Sequence, residues 1–161
     1  MKKVAFCPAT IAVLAMALPA LAAENGFSGV RVITMTEATS TCIGVPRTPL
    51  CAAETFLACS LRNDEAMCDL VGAGPFGPRK AIAEKYKFVA SRVLTKEDYQ
   101  RVDRAEWAKP GTVSIVLQTS SCFKDGTCSP FERYTVLVSE KNGKWIVVSW
   151  NSAADDEDFA D

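Results

Sequence analysis

The sequence predicts an α+β fold, with helices first and a curved antiparallel sheet second, the helices lying on one face of that sheet. Three observations predict it. Apolar residues recur at helical spacing from Pro49 to Arg62, just after the start signal Thr48-Pro49. Three segments in the last third of the chain alternate apolar and polar residues, as half-buried strands do. Asn142-Gly143, the strongest two-residue hairpin signal, separates the last two of them.

The chain opens with Met1-Lys2-Lys3, an apolar run from Val4 to Leu18, and then Pro19-Ala20-Leu21-Ala22-Ala23. A basic start, an apolar core and a small-residue end are the three parts of a secretory signal. The apolar run is shorter than the roughly 20 residues of a membrane span, and Pro8 and Pro19 flank it. Cleavage is expected after Ala22, with Ala23 the next option. Cys7 lies on the wrong side of the apolar run to accept a lipid, which favours a soluble product without a span. The style of the signal is bacterial, so the expected location is periplasmic or secreted.

Removal of residues 1–22 from the 161-residue chain leaves 139, the length of one domain with its own core. That domain is expected over residues 23–152, with an acidic disordered tail at 153–161. Without Lys2 and Lys3 the chain has 16 basic and 19 acidic residues, and five of the acids lie in the last seven positions. The body has no concentrated basic face, which argues against nucleic acid or a strongly basic membrane surface.

Six cysteines remain: Cys42, Cys51, Cys59, Cys68, Cys122 and Cys128. An even count in an exported chain reads as a disulfide framework. Zinc is disfavoured, because there is no Cys-x-x-Cys pair and no histidine. Geometry narrows the pairing. Cys122 and Cys128 bracket an Asp125-Gly126 reversal. Cys59 and Cys68 approach if Asn63-Asp64 folds two helices into a hairpin. Cys51 and Cys59 lie about 12 Å apart along one helix, beyond the roughly 7 Å that a disulfide spans. Cys51 is therefore left to Cys42.

The elements follow in order. A short strand is expected from Val30 to Met35 within a loose N-terminal segment. Thr48 caps a helix from Pro49 to about Arg62, whose Leu50, Ala53, Leu57 and Leu61 form an inward stripe. Asn63-Asp64 breaks it and starts a second helix through about Val71. Gly72 to Pro78, with three glycines and two prolines, ends that helix. Lys85 to Leu94 reads as a strand. Thr95-Lys96-Glu97-Asp98 reads as a capped start of a short helix to about Val102. Thr112 to Cys122, Arg133 to Glu140 and Lys144 to Asn151 complete an antiparallel meander.

This layout resembles the nuclear transport factor two-like, or cystatin-like, superfamily. The resemblance is carried by the helix Pro49 to Arg62, the Asn63-Asp64 break, the second helix to Val71, and the ending Asn142-Gly143-Lys144-Trp145-Ile146-Val147-Val148. It covers about Pro49 to Trp150. It implies a cone-like fold with a pocket between the sheet and the long helix. Relatives use that pocket for catalysis, for ligand binding or for protein contact, so the fold does not fix function.

The absence of histidine removes serine–histidine and cysteine–histidine nucleophiles and most catalytic zinc sites. Gly72-Ala73-Gly74 reads as a turn, since no Gly-Lys-Ser/Thr follows it. The superfamily's ketosteroid isomerases use a carboxylate base with tyrosine. Asp98, Asp103, Tyr86, Tyr99 and Tyr134 could supply such groups, but Asp98 and Tyr99 are helix neighbours that face apart and Asp103 sits in a charged run. No catalytic, metal or cofactor-binding residue is assigned, and no cofactor is expected. Trp145 and Trp150, five apart on a strand, are expected on opposite faces. Trp107, Tyr134 and Trp150 are the candidate ligand or partner surface, and Arg79, Lys80, Lys85 and Lys87 form a modest basic run.

The expected function is an exported, non-catalytic accessory or binding domain for a small ligand or an envelope protein. One alternative is a small isomerase- or hydratase-type enzyme with an Asp/Tyr pair in a pocket. Another is an envelope-interaction protein without a small ligand. A carboxylate–tyrosine pair in an apolar cavity favours the enzyme; an aliphatic and aromatic cavity favours binding; an exposed apolar patch favours envelope contact.

Overall fold

Thr48 starts the first helix as its sequence predicts. In the computed structural model, which describes residues 27–74, 76–100 and 110–152, its hydroxyl accepts from the amide of Cys51 at 3.2 Å. The helix α1 runs Pro49–Arg62 and ends at Asn63, which takes the left-handed conformation (φ 51°) and so stops it. Asp64 then caps α2, Glu65–Leu70, by accepting from the amide of Met67 at 3.0 Å. The expected signal at 1–22, the tail at 153–161, Trp107 and Asp103 lie outside the described residues.

Five strands follow the chain in spatial order: β1 Arg31–Thr34, β2 Ala83–Val93, β3 Val113–Cys122, β4 Glu132–Lys141 and β5 Lys144–Ser152. All neighbours are antiparallel. A short helix α3, Lys96–Gln100, links β2 towards β3. The β4–β5 turn has Asn142 and Gly143 at φ 55° and 76°, the pair of positive angles that the tightest hairpins need. The chain is thus α+β, with short N-terminal helices packed against a strongly curled five-strand sheet. Two bulges contribute to the curl, one in β2 between Phe88 and Ala90 and one in β5 opposite Leu137 and Val138; an extra residue in one strand increases its local twist.

The β5 bulge corrects one expectation. Paired residues in a ladder share a face, and Trp150 pairs with Val136, Val147 with Val138, and Trp145 with Glu140. Val136 and Val138 are fully buried. The extra residue at Val148 resets the alternation, so Trp145 and Trp150 point to the same, core-facing side.

The helix α1 is more enclosed than an inward stripe of four residues implies. Of its 14 residues only Cys51 and Arg62 are not buried. The sheet, β1 included, covers one side, and α2 lies against another. Phe56, Leu57, Ile115, Leu117, Val136 and Val138 fill the space between α1 and the sheet. Burial of each such side chain stabilises by about 1.5–3 kcal/mol, so the core's weight lies on α1.

Three disulfides close the chain: Cys42–Cys51, Cys59–Cys68 and Cys122–Cys128, with Cα separations of 5.3, 5.2 and 4.0 Å. These are the three pairs that the geometric argument gives. The last sits across the β3 hairpin mouth as an isolated bridge, pinned further by Asp125, which accepts from the amide and hydroxyl of Thr127. Three disulfides suit an oxidising, extracytoplasmic compartment. Among the described residues no helix is long and apolar enough to cross a membrane.

Candidate functional site

Three groupings of side chains carry chemistry. The first is aromatic and contains two of the three residues singled out in the sequence. Trp150 lies 5.0 Å and Tyr134 6.4 Å, ring centre to ring centre, from Phe56 of α1. Phe76 completes the group at 5.4 Å from Phe56 and 5.8 Å from Trp150. The cluster gathers because Tyr134 and Trp150 both point to the concave face, where α1 presents Phe56. Tyr134 is largely enclosed, and burial pushes its phenol up to about 12. Trp150 remains 44% exposed at the rim.

Beside Tyr134 stands Glu84 of β2, which is buried and accepts from the hydroxyl of Ser121 at 2.9 Å. Its carboxyl is raised above the ordinary value by burial, an effect that the Ser121 hydrogen bond and the nearby Arg79 charge only partly offset.

The second grouping is a surface cleft of about 790 Å³ where the approach to β2 meets the β3–β4 connection. Arg79, Lys80 and Lys124 line it together with the apolar side chains of Met35, Ile82 and Phe123. Met35 and Ile82 are 47% and 38% exposed. Asp125 is the lone acid of the lining, and its carboxylate is already engaged by Thr127. Half of the predicted basic run therefore reaches a concavity. Lys87 instead stacks over the ring of Phe131 at 4.2 Å.

The third grouping was not anticipated. Glu54 of α1 has no exposed surface. Its Oε1 accepts from Arg31 Nη1 at 2.6 Å and from the Tyr86 hydroxyl at 3.0 Å. Its Oε2 accepts from the hydroxyl of Ser40 and lies 2.9 Å from the sulfur of Cys42. Arg31 is itself held over the ring of Phe27, 3.7 Å from its centre. Burial, followed by the neighbouring Glu54 charge, raises the Tyr86 phenol well above its usual range. The sequence did hold a signal for this hub. Glu54 is the only charged residue between Pro49 and Leu61, and a lone acid in an otherwise apolar helix must be paired if that helix is buried.

The other candidate acid–base groups are placed differently. Asp98 makes two hydrogen bonds with Arg92, at 2.7 and 2.9 Å, and accepts from the amide of Thr95 at 2.6 Å. The Arg92 contact holds its carboxyl down at about 2, which makes it a helix cap and ion-pair partner. Among the described residues no three acids or cysteines are grouped to hold a metal ion. In comparisons with known proteins, no family model, no curated protein and no solved structure matches the chain.

Proposed function

We propose that this chain is an extracytoplasmic, non-catalytic binding domain whose ligand is a small anionic amphiphile held in the cleft of Arg79, Lys80 and Lys124. The observation that carries the reading is that cleft: about 790 Å³, lined by three cations and by the apolar Met35, Ile82 and Phe123. Its size falls within the range of small-molecule sites, and an apolar lining with a few placed polar groups is their usual make-up. Concave cationic surfaces also concentrate anions. An acyl or other apolar body would cover Met35 and Ile82 while its acidic head meets the cations.

The enzyme alternative has less support. Among the described residues the carboxylate–tyrosine pair joined by a hydrogen bond, Glu54 and Tyr86, is spent on an internal contact, and both residues have no exposed surface. Kinship with the nuclear transport factor two-like superfamily would place a pocket between α1 and the sheet. Phe56, Leu117 and Val136 occupy that space, which is a reason to put the ligand on the outside.

Calorimetric titration of the exported protein with a medium-chain fatty acid, beside a neutral alkyl maltoside of equal chain length, tests the reading. The acid is expected to bind and the maltoside to bind at least tenfold more weakly, on the order of 1.4 kcal/mol. Paired reversal by Arg79→Glu and Lys124→Glu should abolish the difference. Equal affinity for the two amphiphiles, or none for either, would overturn it.

A further inference from the structure

The Cys42–Cys51 disulfide differs from the other two in what surrounds it. Cys51 is the third residue of α1, a 14-residue helix whose first turn carries no acid. Cys42 touches a fully buried carboxylate, with Glu54 Oε2 2.9 Å from its sulfur. Both sulfurs belong to residues that are only partly buried. By contrast Cys59 and Cys68 are 0% and 2% exposed, and the pair Cys122–Cys128, although Cys128 is exposed, has no ionised side chain of the described residues hydrogen-bonded or ion-paired to either sulfur. We propose that Cys42–Cys51 is a thiol–disulfide exchange site, at which Cys42 joins an incoming dithiol partner and Cys51 is the leaving and re-closing thiol, with Glu54 as the positioning residue.

The direction of cleavage follows from charge. In exchange, one sulfur is attacked and the other leaves as thiolate, and the better-stabilised thiolate leaves faster. Cys51 lies in the first turn of α1, at the positive end of that helix's dipole, which favours a thiolate there. A thiolate on Cys42 would face the Glu54 carboxylate. Cys51 is therefore the leaving group and Cys42 the attacked sulfur.

The balance is that of a dithiol–disulfide couple. One thiolate of the partner attacks Cys42 Sγ, a partner–Cys42 bond forms, and the Cys42–Cys51 bond breaks. The partner's second thiol then closes on its own mixed-disulfide sulfur and releases Cys42. Two electrons pass from the dithiol, which ends as a disulfide, and its two protons end on Cys42 and Cys51. The Cys42 thiol then donates to Glu54 Oε2, which leaves Cys51 the more readily ionised of the two; in the reverse direction Cys42 Sγ attacks the oxidised partner's disulfide and releases one partner thiolate, and Cys51 then attacks Cys42 Sγ, closing the bond and releasing the other.

The test uses the oxidised, exported protein. Brief treatment with dithiothreitol, quenching with N-ethylmaleimide and peptide mapping give the order in which the bonds open; reduced glutathione in place of dithiothreitol marks the attacked sulfur. Cys42–Cys51 is expected to open about tenfold faster than Cys122–Cys128, with Cys59–Cys68 closed throughout and the glutathione adduct on Cys42. Earlier opening of Cys122–Cys128, or an adduct on Cys51, would overturn the proposal. In the reduced protein, Cys51 should alkylate faster than Cys42 at neutral pH, and Glu54→Gln should move the pH profile of Cys42 alkylation to lower pH while leaving that of Cys51 in place. Equal wild-type rates, a measurement that needs no variant, would remove the asymmetry on which the site rests. An unmoved Cys42 profile in a folded Glu54→Gln protein would remove Glu54 from it.

Discussion

Glu54 and Tyr86, 32 residues apart in the chain, meet at 3.0 Å in the middle of the core, where the phenol donates to the only carboxylate on the buried length of α1. The contact ties the central helix to β2, and Arg31 extends the tie to β1.

Removal of that carboxylate is expected to be the most damaging single polar change. Glu54→Ala leaves Arg31, Ser40 and Tyr86 without their acceptor, and loss of one partner of a buried ion pair costs about 3–5 kcal/mol. Tyr86→Phe removes one hydrogen bond and should cost about 1–2 kcal/mol. Urea unfolding of both variants gives the comparison, and a Glu54→Ala cost no larger than that of Tyr86→Phe would contradict the reading of Glu54 as the hub.

Glu84 should behave in the opposite sense. Its folded-state value lies above 4.5 because burial disfavours the charge. A raised value means that the fold prefers the neutral acid, so its contribution is full below the unfolded value and declines as pH rises through the folded one. Glu84→Gln is therefore expected to gain stability over wild type at neutral pH and to lose that advantage in acid. Thermal melts across that range check the sign.

The helices and the meander were legible because their signals are local. Thr48, Asn63, Asp64 and the Asn142-Gly143 turn each act within a few residues, and the disulfides close short loops whose reach can be worked out along the chain. The Trp145 and Trp150 faces were misread because the bulge at Val148 is set by pairing with β4, which strand periodicity does not encode. The Glu54 hub draws on four separate segments, and only the oddity of its charge within α1 hinted at it. The cleft joins Met35, residues 79–82 and residues 123–125, and that meeting depends on the register between β1, β2 and β3.

Alkaline titration should report the enclosure of Tyr134. Its phenol rises from 10.0 to about 12 through burial, and that of Tyr86 rises too. Groups raised in this way give stability that is complete below the unfolded value and is lost as pH climbs through the folded one. The native protein should keep both phenols neutral past pH 10 and lose stability from there towards pH 12. Phenolate absorbance followed beside circular dichroism is the check. Tyr134→Phe should lessen the slope, and an unchanged slope in the double variant with Tyr86→Phe would place its source elsewhere.

The disulfides should differ in weight as well as in reactivity. Cys59–Cys68 joins α1 to α2 over a separation of 9, and Cys122–Cys128 closes a separation of 6. The loop-entropy treatment assigns about 2.5 kcal/mol to the first and about 2 kcal/mol to the second, so the unfolded chain barely distinguishes them. The folded state does. Both Cys59 and Cys68 are buried in the core cluster, and replacing them with alanine also removes packed sulfur that the enclosed helix cannot refill, a further loss of about 1 kcal/mol or more. Cys128 is exposed, and the hairpin that holds it keeps its Asp125–Thr127 and Ser120–Ser129 hydrogen bonds without the bridge. The pair Cys59→Ala/Cys68→Ala should thus lower the urea midpoint clearly more than Cys122→Ala/Cys128→Ala, with similar slopes if both variants stay compact. Equal midpoints would mean that Asn63 and Asp64 already fix the α1–α2 turn and that the core sulfurs contribute little beyond the crosslink.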